Sequence, residues 1–472
     1  MNTTTPPAGS GAPPRLPLEI ELKLSVPATA LAQVRAHPGI RALRDGRART
    51  SMLVSRYYDT PEFALRDAGV ALRVRRVGSG RWIQTAKGLG GAAGGVHRRV
   101  EFEWPLNTPR PDRMVLASTP WKKAFAAAVP ALRALFATRI RRTTQPLRFD
   151  DGTRATLCLD SGTVACAGRR AAISEVEIEL VSGDARQLVA LARSLAADLP
   201  VAVAQASKAE RGYALCANGA QMGAGARRVT LAHDATAASM LAAVGADCVR
   251  QIGANVEALA AGGGADCVHQ LRVGARRFRS LLNLPDGVDV LPSRVSLDAE
   301  LRWLGSVAGA VRDCDVLAEQ TLRPMAAHLA QLAHRRDLGR LKARVTRLHS
   351  ARRATLSSAI VSPRTAHMLL DCAAMLADIA ALPGDAARTS SALALAQSTL
   401  QRRHERLRKR GRHLRVLPAP ERHRARIAAK KLRYAAEFFA PLYRGSRPGK
   451  YIDALARLQD SLGRLNDIVT AE

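Results

Sequence analysis

Two periodicities divide the chain. Up to about residue 216, apolar and polar positions alternate in short runs: Leu18–Leu24, Thr50–Asp59, Val70–Val77, Arg81–Lys87, Val96–Trp104, Arg139–Phe149, Thr153–Asp160 and Ala172–Val181. A period of two places successive side chains on opposite faces of a strand. Between these runs, Ala185–Ala197 carries a helical pattern. From about residue 233 the pattern becomes long, Ala/Leu/Arg-rich and helical, punctuated by Pro285, Pro292, Pro363, Pro383 and Pro418. The Gly/Ala-rich residues 217–231 between the halves predict a linker. Residues 1–17, rich in Pro, Gly and Thr, predict a disordered tail. The expected fold class is α+β in two domains: an antiparallel β domain with flanking helices over residues 18–216, and an all-α bundle over 232–472.

The helical half repeats itself. His269-Gln-Leu-Arg-Val-Gly-Ala-Arg-Arg-Phe-Arg279 matches His423-Arg-Ala-Arg-Ile-Ala-Ala-Lys-Lys-Leu-Arg433 at an offset of 154. The same offset pairs Leu301 with Leu455, Leu304 with Leu458, Gly309 with Gly463 and Asp313 with Asp467. Two copies of one helical unit are expected, near residues 265–320 and 419–472, about a pseudo-two-fold axis.

Composition narrows the partner. The 472 residues carry a net charge of +32, +14 of it in the first 220 and +18 in the rest. Such a bias implies a polyanion: nucleic acid, inorganic polyphosphate or anionic lipid. Aromatic residues are only 4%, which argues against nucleic acid, since single strands need stacking platforms. No apolar run reaches the roughly 20 residues of a membrane span. The seven cysteines form no CxxC pair and are odd in number, which predicts reduced, buried thiols with no disulfide framework. With reduced thiols and no apolar segment at the N-terminus, a cytoplasmic location is expected, with polyphosphate granules as an alternative.

The polar faces of the strands are charged. Glu19, Glu21 and Lys23 share one face of the first strand, opposite Ile20, Leu22 and Leu24. Arg73 and Arg75 oppose Leu72 and Val74; Arg99, Glu101 and Glu103 oppose Val100, Phe102 and Trp104. Glu175, Glu177 and Glu179 oppose Val176, Ile178 and Leu180, and Arg139 and Arg141 flank Ile140. A single strand of this kind describes a sheet with one wet face. Three carboxylates in a row repel one another unless cations gather beside them. Many mixed-charge strands therefore predict a closed barrel with a charged lumen. Its carboxylates would hold a hard cation, Mg²⁺ or Mn²⁺, and its Arg and Lys side chains would clamp phosphate oxygens. The loop Gly88–Gly95 lacks phosphate-loop spacing and is expected to be a hairpin connection. His37, His97, Trp82 and Trp104 are expected to be structural.

The run Glu19-Ile-Glu21-Leu-Lys23 resembles the opening strand of the CYTH superfamily, the triphosphate tunnel metalloenzymes. Further matches follow in order: Tyr57-Tyr-Asp-Thr60, Gly69-Val-Ala-Leu-Arg-Val-Arg75, Gln84-Thr-Ala-Lys87, Gly95-Val-His-Arg-Arg99 with Glu101 and Glu103, Leu159-Asp160, Glu175-Val-Glu177, and Ser207-Lys208-Ala-Glu-Arg211. The resemblance implies a metal-dependent triphosphatase, with inorganic tripolyphosphate as the expected substrate. Glu19, Glu21, Glu175 and Glu177 would bind metal and, with Lys23, form the catalytic set. Lys23, Arg73, Arg75, Lys87, Arg99, Arg141 and Lys208 would grip the phosphate chain. Glu101, Glu103 and Asp160 would be tunnel acids. A metal-activated water would attack, with no covalent enzyme intermediate.

In the helical half, His269, Arg272, Arg276 and Arg279 fall at spacings of three, four and three, which is one stripe of a helix. Val268, Leu271, Ala275, Leu281 and Leu282 are left for the core. The second copy supplies His423, Arg426, Lys430 and Arg433. Two such stripes would line one cationic groove for a linear polyanion, whose repeating phosphates need charge and no base readout. These runs, with Leu304–Asp315 and Leu458–Asp467, resemble the CHAD domain (conserved histidine α-helical domain), which is associated with polyphosphate. The second copy departs in having Asn466 where the first has Arg312, and the chain stops soon after its last motif. The basic run Arg402–Arg415 could extend the cationic groove or face solvent, and the solvent face is expected.

Alternatives keep parts of this picture. The barrel could act on thiamine triphosphate or nucleoside triphosphates, although no aromatic cluster near the tunnel strands is evident. Alternatively, the whole chain could be a non-catalytic polyphosphate scaffold, such as a granule protein. The full carboxylate set argues for an enzyme, because binding alone needs only the basic residues.

Overall fold

The computed structural model describes residues 16–470, apart from 79, 90–91, 218–222, 233, 285–292, 326–334, 382–390 and 415. Ten strands form one antiparallel sheet: β1 (Leu18–Ser25), β2 (Arg49–Asp59), β3 (Val70–Val77), β4 (Arg81–Gly88), β5 (Ala92–Ala93), β6 (Val96–Leu106), β7 (Arg133–Arg148), β8 (Arg154–Cys166), β9 (Arg169–Ser182) and β10 (Ala202–Val203). Eight of them run in the order β1-β9-β8-β7-β2-β3-β4-β6, and β6 returns to pair with β1, from Leu18↔Val100 to Leu22↔Val96. The sheet is thus a closed barrel without edges. The two-residue strands β10 and β5 add to β1 and β6.

The alternation seen in the sequence sorts side chains between lumen and exterior. Leu22 and Leu24 point outward and are fully buried, as are Leu157, Val176 and Ile178 on neighbouring strands. Several strands outrun their expected limits, β7 and β8 most of all. β7 begins at Arg133, and β8 continues to Cys166 through Ser161-Gly162-Thr163, where the apolar pattern lapses. Gly162 lies against the backbone of Arg139, where a Cβ would come within 2.9 Å of its carbonyl carbon.

Helices close the ends and one flank of the barrel. α1 (Leu31–Ala36), α2 (Pro38–Ala42) and α5 (Arg186–Asp198) cover the outside, while α3 (Ala64–Asp67) and α4 (Lys122–Ala128) pack near β3. α6 (Lys208–Ala217) plugs one mouth: its Ala209 and Tyr213 pack with Leu53, Tyr57, Phe136 and Ile140. Tyr213 donates to Asp59 at 2.9 Å. The far end of α6 is bonded to the barrel by a Cys166–Cys216 disulfide, with Cα atoms 5.5 Å apart. This corrects the expectation of seven free thiols. The two cysteines are 50 residues apart, and barrel closure brings them together; the other five form no disulfide and are buried. His37 bonds Asp198 at 2.9 Å and caps α2, so its role is structural.

The second half is helical: α7 (Ala237–Ala260), α8 (Ala265–Leu282), α9 (Arg294–Val316), α10 (Arg335–Ile360), α11 (Pro363–Ala381), α12 (Ala392–Arg410), α13 (Ala419–Phe439) and α14 (Arg447–Thr470). α13 and α14 stand where the repeat spacing places counterparts of α8 and α9. Side chains beyond Leu462, including Gly463, Asn466 and Asp467 of the second motif, lie outside the description. No described helix is long and apolar enough to cross a membrane. One apolar core runs through both halves, from Leu22, Leu24 and Ile178 to Met240, Val244, Leu271, Phe278 and Leu369.

Candidate active site

Strand register assembles the lumen. β1 sets Glu21 beside Glu179 and Lys23 beside Glu177 on β9, and Glu19 beside Arg99 on β6. β4 sets Thr85 and Lys87 beside Glu103 and Glu101. The resulting cavity of about 410 Å³ is lined by Glu19, Glu21, Lys23, Arg73, Arg75, Lys87, Arg99, Glu101, Glu103, Glu177 and Lys208, with Arg142, Glu179, Tyr57 and Ser207.

Every lumen acid meets a cation. Lys87 contacts Glu19, Glu21 at 3.4 Å and Glu101 at 3.0 Å. Lys23 contacts Glu177 and, at 3.2 Å, Glu21. Arg99 lies 3.5 Å from Glu21. Arg73 lies 3.6 Å from Glu101 and 3.4 Å from Glu103. At the α6 mouth, Lys208 contacts Glu175, Asp160 at 2.7 Å and Glu177 at 2.9 Å.

Titration follows this layout. Glu19 is pushed up to about 8, chiefly by burial, with Lys87 opposing and Glu21 and Glu101 adding to the rise. Burial also opposes the charge of Glu21, but Lys23 and Lys87 outweigh it and hold the carboxyl down at about 2. Glu177 is likewise buried, yet Lys208, Lys23 and Arg142 keep it well below the usual carboxylate range. Arg75 falls to about 10 through burial and the charges of Arg73 and Arg142. A cation short of acidic partners in a closed lumen is a ready site for an anion.

The structure changes three assignments. Arg141 is exposed on the barrel exterior, so it is not part of the lumen. Phe136, Thr138 and Ile140 are the buried face of β7, and parity carries that face to Arg142. Arg142 contacts Asp160 at 2.7 Å, Glu179 at 3.2 Å and Glu177. Alternation points Ile140 outward with the other apolar residues, but it packs inside, at the plugged end, against Ala209 and Tyr213 of α6. Glu175 and Asp160 are fully buried beneath Lys208 and do not line the open cavity. Glu179, on the same face as Glu175 and Glu177, was legible by parity but not assigned a site role. There is also an aromatic cluster near the tunnel: Tyr57 stacks on Phe136 at 4.6 Å, and Tyr213 meets Phe136 edge-on at 5.1 Å. All three are buried; Phe136 and Tyr213 pack at the plugged end, while Tyr57 also lines the cavity.

Among the described residues, two acidic groups have the geometry for a cation. Ligand atoms of Glu19, Glu21 and Glu179 lie within 4.8 Å of one another, as do those of Asp160, Glu175 and Glu177. Glu21 Oε1 and Glu175 Oε2 are buried and accept no hydrogen bond. An all-carboxylate donor set fits a hard divalent ion.

In the helical half the two basic stripes meet. Arg276 and Arg272 of α8 lie close enough to Lys430 of α13 that, after burial, they and Arg426 bring its ammonium down to about 8. Arg272, Arg279 and Arg433 also touch acids: Asp313 at 3.2 Å, Asp298 at 2.9 Å and Glu437 at 3.4 Å. Burial, Arg312 and Arg276 press the His269 ring below its ordinary value; His423 is exposed. Part of the Arg402–Arg415 run departs from its expected place in open solvent. Arg402, Arg403, Arg406 and Arg410 line a concavity of about 620 Å³ with Arg294 and Lys431.

A closed antiparallel barrel with a lumen of paired acids and bases, joined to an all-α domain, defines a class of tunnel proteins. Residues 17–213 match the CYTH domain and residues 243–472 the CHAD domain, so the chain belongs to these families as a CYTH domain followed by a CHAD domain. It is 28% identical over 162 residues to an inorganic triphosphatase of Haemophilus influenzae, across 34% of this chain and 44% of that protein; the chain thus spans under half the length of this relative. A CHAD domain structure from the plant Ricinus communis is 33% identical, with a TM-score of 0.46, covering 54% of this chain and 82% of that one. A putative adenylyl cyclase from Hippeastrum, described as having a dominant triphosphatase activity, is 19% identical, with a TM-score of 0.33, over 42% of this chain and 95% of that one.

Proposed function

We propose that the barrel is a metal-dependent hydrolase of inorganic tripolyphosphate and that the helical half binds longer inorganic polyphosphate. The observation that carries this reading is the lumen itself, where cations for a phosphate chain alternate with carboxylates grouped for a divalent ion. Lys23, Arg73, Arg75, Lys87, Arg99, Arg142 and Lys208 would hold and orient the phosphates. Glu19, Glu21 and Glu179 face the open cavity and would hold Mg²⁺ or Mn²⁺; Asp160, Glu175 and Glu177 form a second group around Lys208. A divalent ion supplies charge neutralisation at the phosphoryl group and a more acidic water. The basic residues contribute positioning and stabilisation of charge on the transferred phosphoryl oxygens, the main part of phosphoryl-transfer catalysis.

The polyphosphate assignment rests on the convergence of Arg272 and Arg276 with Arg426 and Lys430 across two helices. Tethering a polyanion site to the tunnel raises substrate concentration near it. The deciding experiment measures phosphate release from tripolyphosphate with Mg²⁺ or Mn²⁺, for wild type and a Glu19→Gln/Glu21→Gln variant, with ATP and thiamine triphosphate in parallel. Metal-dependent release that is best on tripolyphosphate and lost in the variant is expected. Absence of release from every triphosphate, with polyphosphate still bound, would leave a binding scaffold.

A further inference from the structure

Resting on that reading of the tunnel, we infer that Glu257, on helix α7 of the CHAD domain, is a positioning residue for the CYTH site. Glu257 Oε2 accepts the backbone N–H groups of both Gln205 and Ala206, each at 2.9 Å. These residues immediately precede α6. Next along the chain, Ser207 and Glu210 form a reciprocal cap: the Ser207 N–H donates to Glu210 at 2.8 Å, and the Glu210 N–H donates to Ser207 Oγ at 3.2 Å. The first residue of α6 is Lys208, which reaches Asp160, Glu175 and Glu177 in the barrel. One turn on, Arg211 lies 3.7 Å from both Glu257 and Glu175.

The seat on α7 is two residues wide. Gly253 stands one turn before Glu257, on the same face. A Cβ at Gly253 would come within 2.6 Å of the Gln205 side chain, so the missing side chain admits the loop that Glu257 then fastens. Both residues belong to the helical domain, whereas everything they fix belongs to the tunnel. A carboxylate that accepts two consecutive N–H groups and faces a guanidinium makes charge-assisted bonds. These set the start of α6, and with it the place of Lys208. Catalytic positioning is steep in distance: a displacement of about 1 Å can cost on the order of a hundredfold in rate.

The test uses the full chain. Glu257→Gln keeps an acceptor but loses the charge facing Arg211, Glu257→Ala loses both, and Gly253→Leu displaces the loop. Arg193→Ala breaks the other described interdomain ion pair, Arg193–Asp371 at 2.9 Å, and serves as the interface control. Tripolyphosphate hydrolysis would be followed as kcat and KM, alongside calorimetric binding of tripolyphosphate in EDTA and melting temperature. We expect Glu257→Ala and Gly253→Leu to lose roughly ten- to a hundredfold in kcat/KM, Glu257→Gln to lose less, and Arg193→Ala to match wild type. Metal-free tripolyphosphate affinity should fall in the same order, while polyphosphate binding is kept. Equal activity in Glu257→Ala and wild type overturns the inference, as does an equal loss in Arg193→Ala. An inactive wild type overturns the hydrolase reading instead; unchanged metal-free binding in Glu257→Ala would then also remove the positioning role.

Discussion

At the scale of single residues, parity decides which charges matter. Arg141 and Arg142 are neighbours, but one faces solvent and the other contacts three carboxylates. Arg142→Ala should therefore abolish most tripolyphosphate hydrolysis, and Arg141→Ala should leave it within about twofold, as steady-state kinetics would show. In the helical half, partial burial and the charges of Arg276, Arg426, Arg272 and Arg433 bring the half-buried Lys430 down to about 8. A bound polyanion favours the charged form, so binding takes up a proton. Polyphosphate affinity should be fullest below pH 8 and fall as pH rises through it, by at most about tenfold per unit. Lys430→Arg should flatten the profile measured by titration calorimetry. Folding stability moves the opposite way: the unfolded lysine holds its proton to higher pH, so this group's contribution rises between about pH 8 and the ordinary lysine value of roughly 10.4.

At the scale of elements, the strands and their inward charges were legible because a half-buried antiparallel strand must alternate. Glu19, Glu21, Lys23, Arg73, Arg75, Lys87, Arg99, Glu101, Glu103, Glu177 and Lys208 line one cavity. Legibility failed where local pattern gave way to three-dimensional closure. β7 has Ile140 in its interior face because α6 fills that end of the barrel with Tyr213 and Ala209, and no local signal announces a plug. The Cys166–Cys216 bond escaped for the same reason. It closes a loop whose release should cost about 2–4 kcal/mol. Cys216→Ser, or added reductant, should lower the melting temperature, and mass spectrometry of the non-reduced chain should show the linked peptides.

At the scale of the whole molecule, the Gly/Ala-rich linker at 217–231 divides the sequence into two domains, but the core does not stop at that boundary. Leu188 and Val189 of α5 share a cluster with Leu369, Ala373 and Leu376 of α11. Gly94 and Gly95, left-handed at φ 57° and 81°, turn the β5–β6 hairpin against α11 and β10. Composition marks the loop as flexible and cannot show what it packs on. A shared core implies shared cooperativity: calorimetry should give one unfolding transition, and two resolved transitions would contradict the continuous packing.

The lumen pairs remain to be weighed against the charge of the chain. Along the cavity walls seven bases face six acids, so nearly all of the large positive excess of the first half resides outside the tunnel. From a distance the molecule attracts any polyanion; at the entrance it is almost electroneutral. An anion that entered alone would strip cations from their carboxylates, and a cation that entered alone would do the reverse. Only a matched load of both restores the balance, so each should tighten the other's grip, and the tunnel should discriminate by the sum of charges it receives.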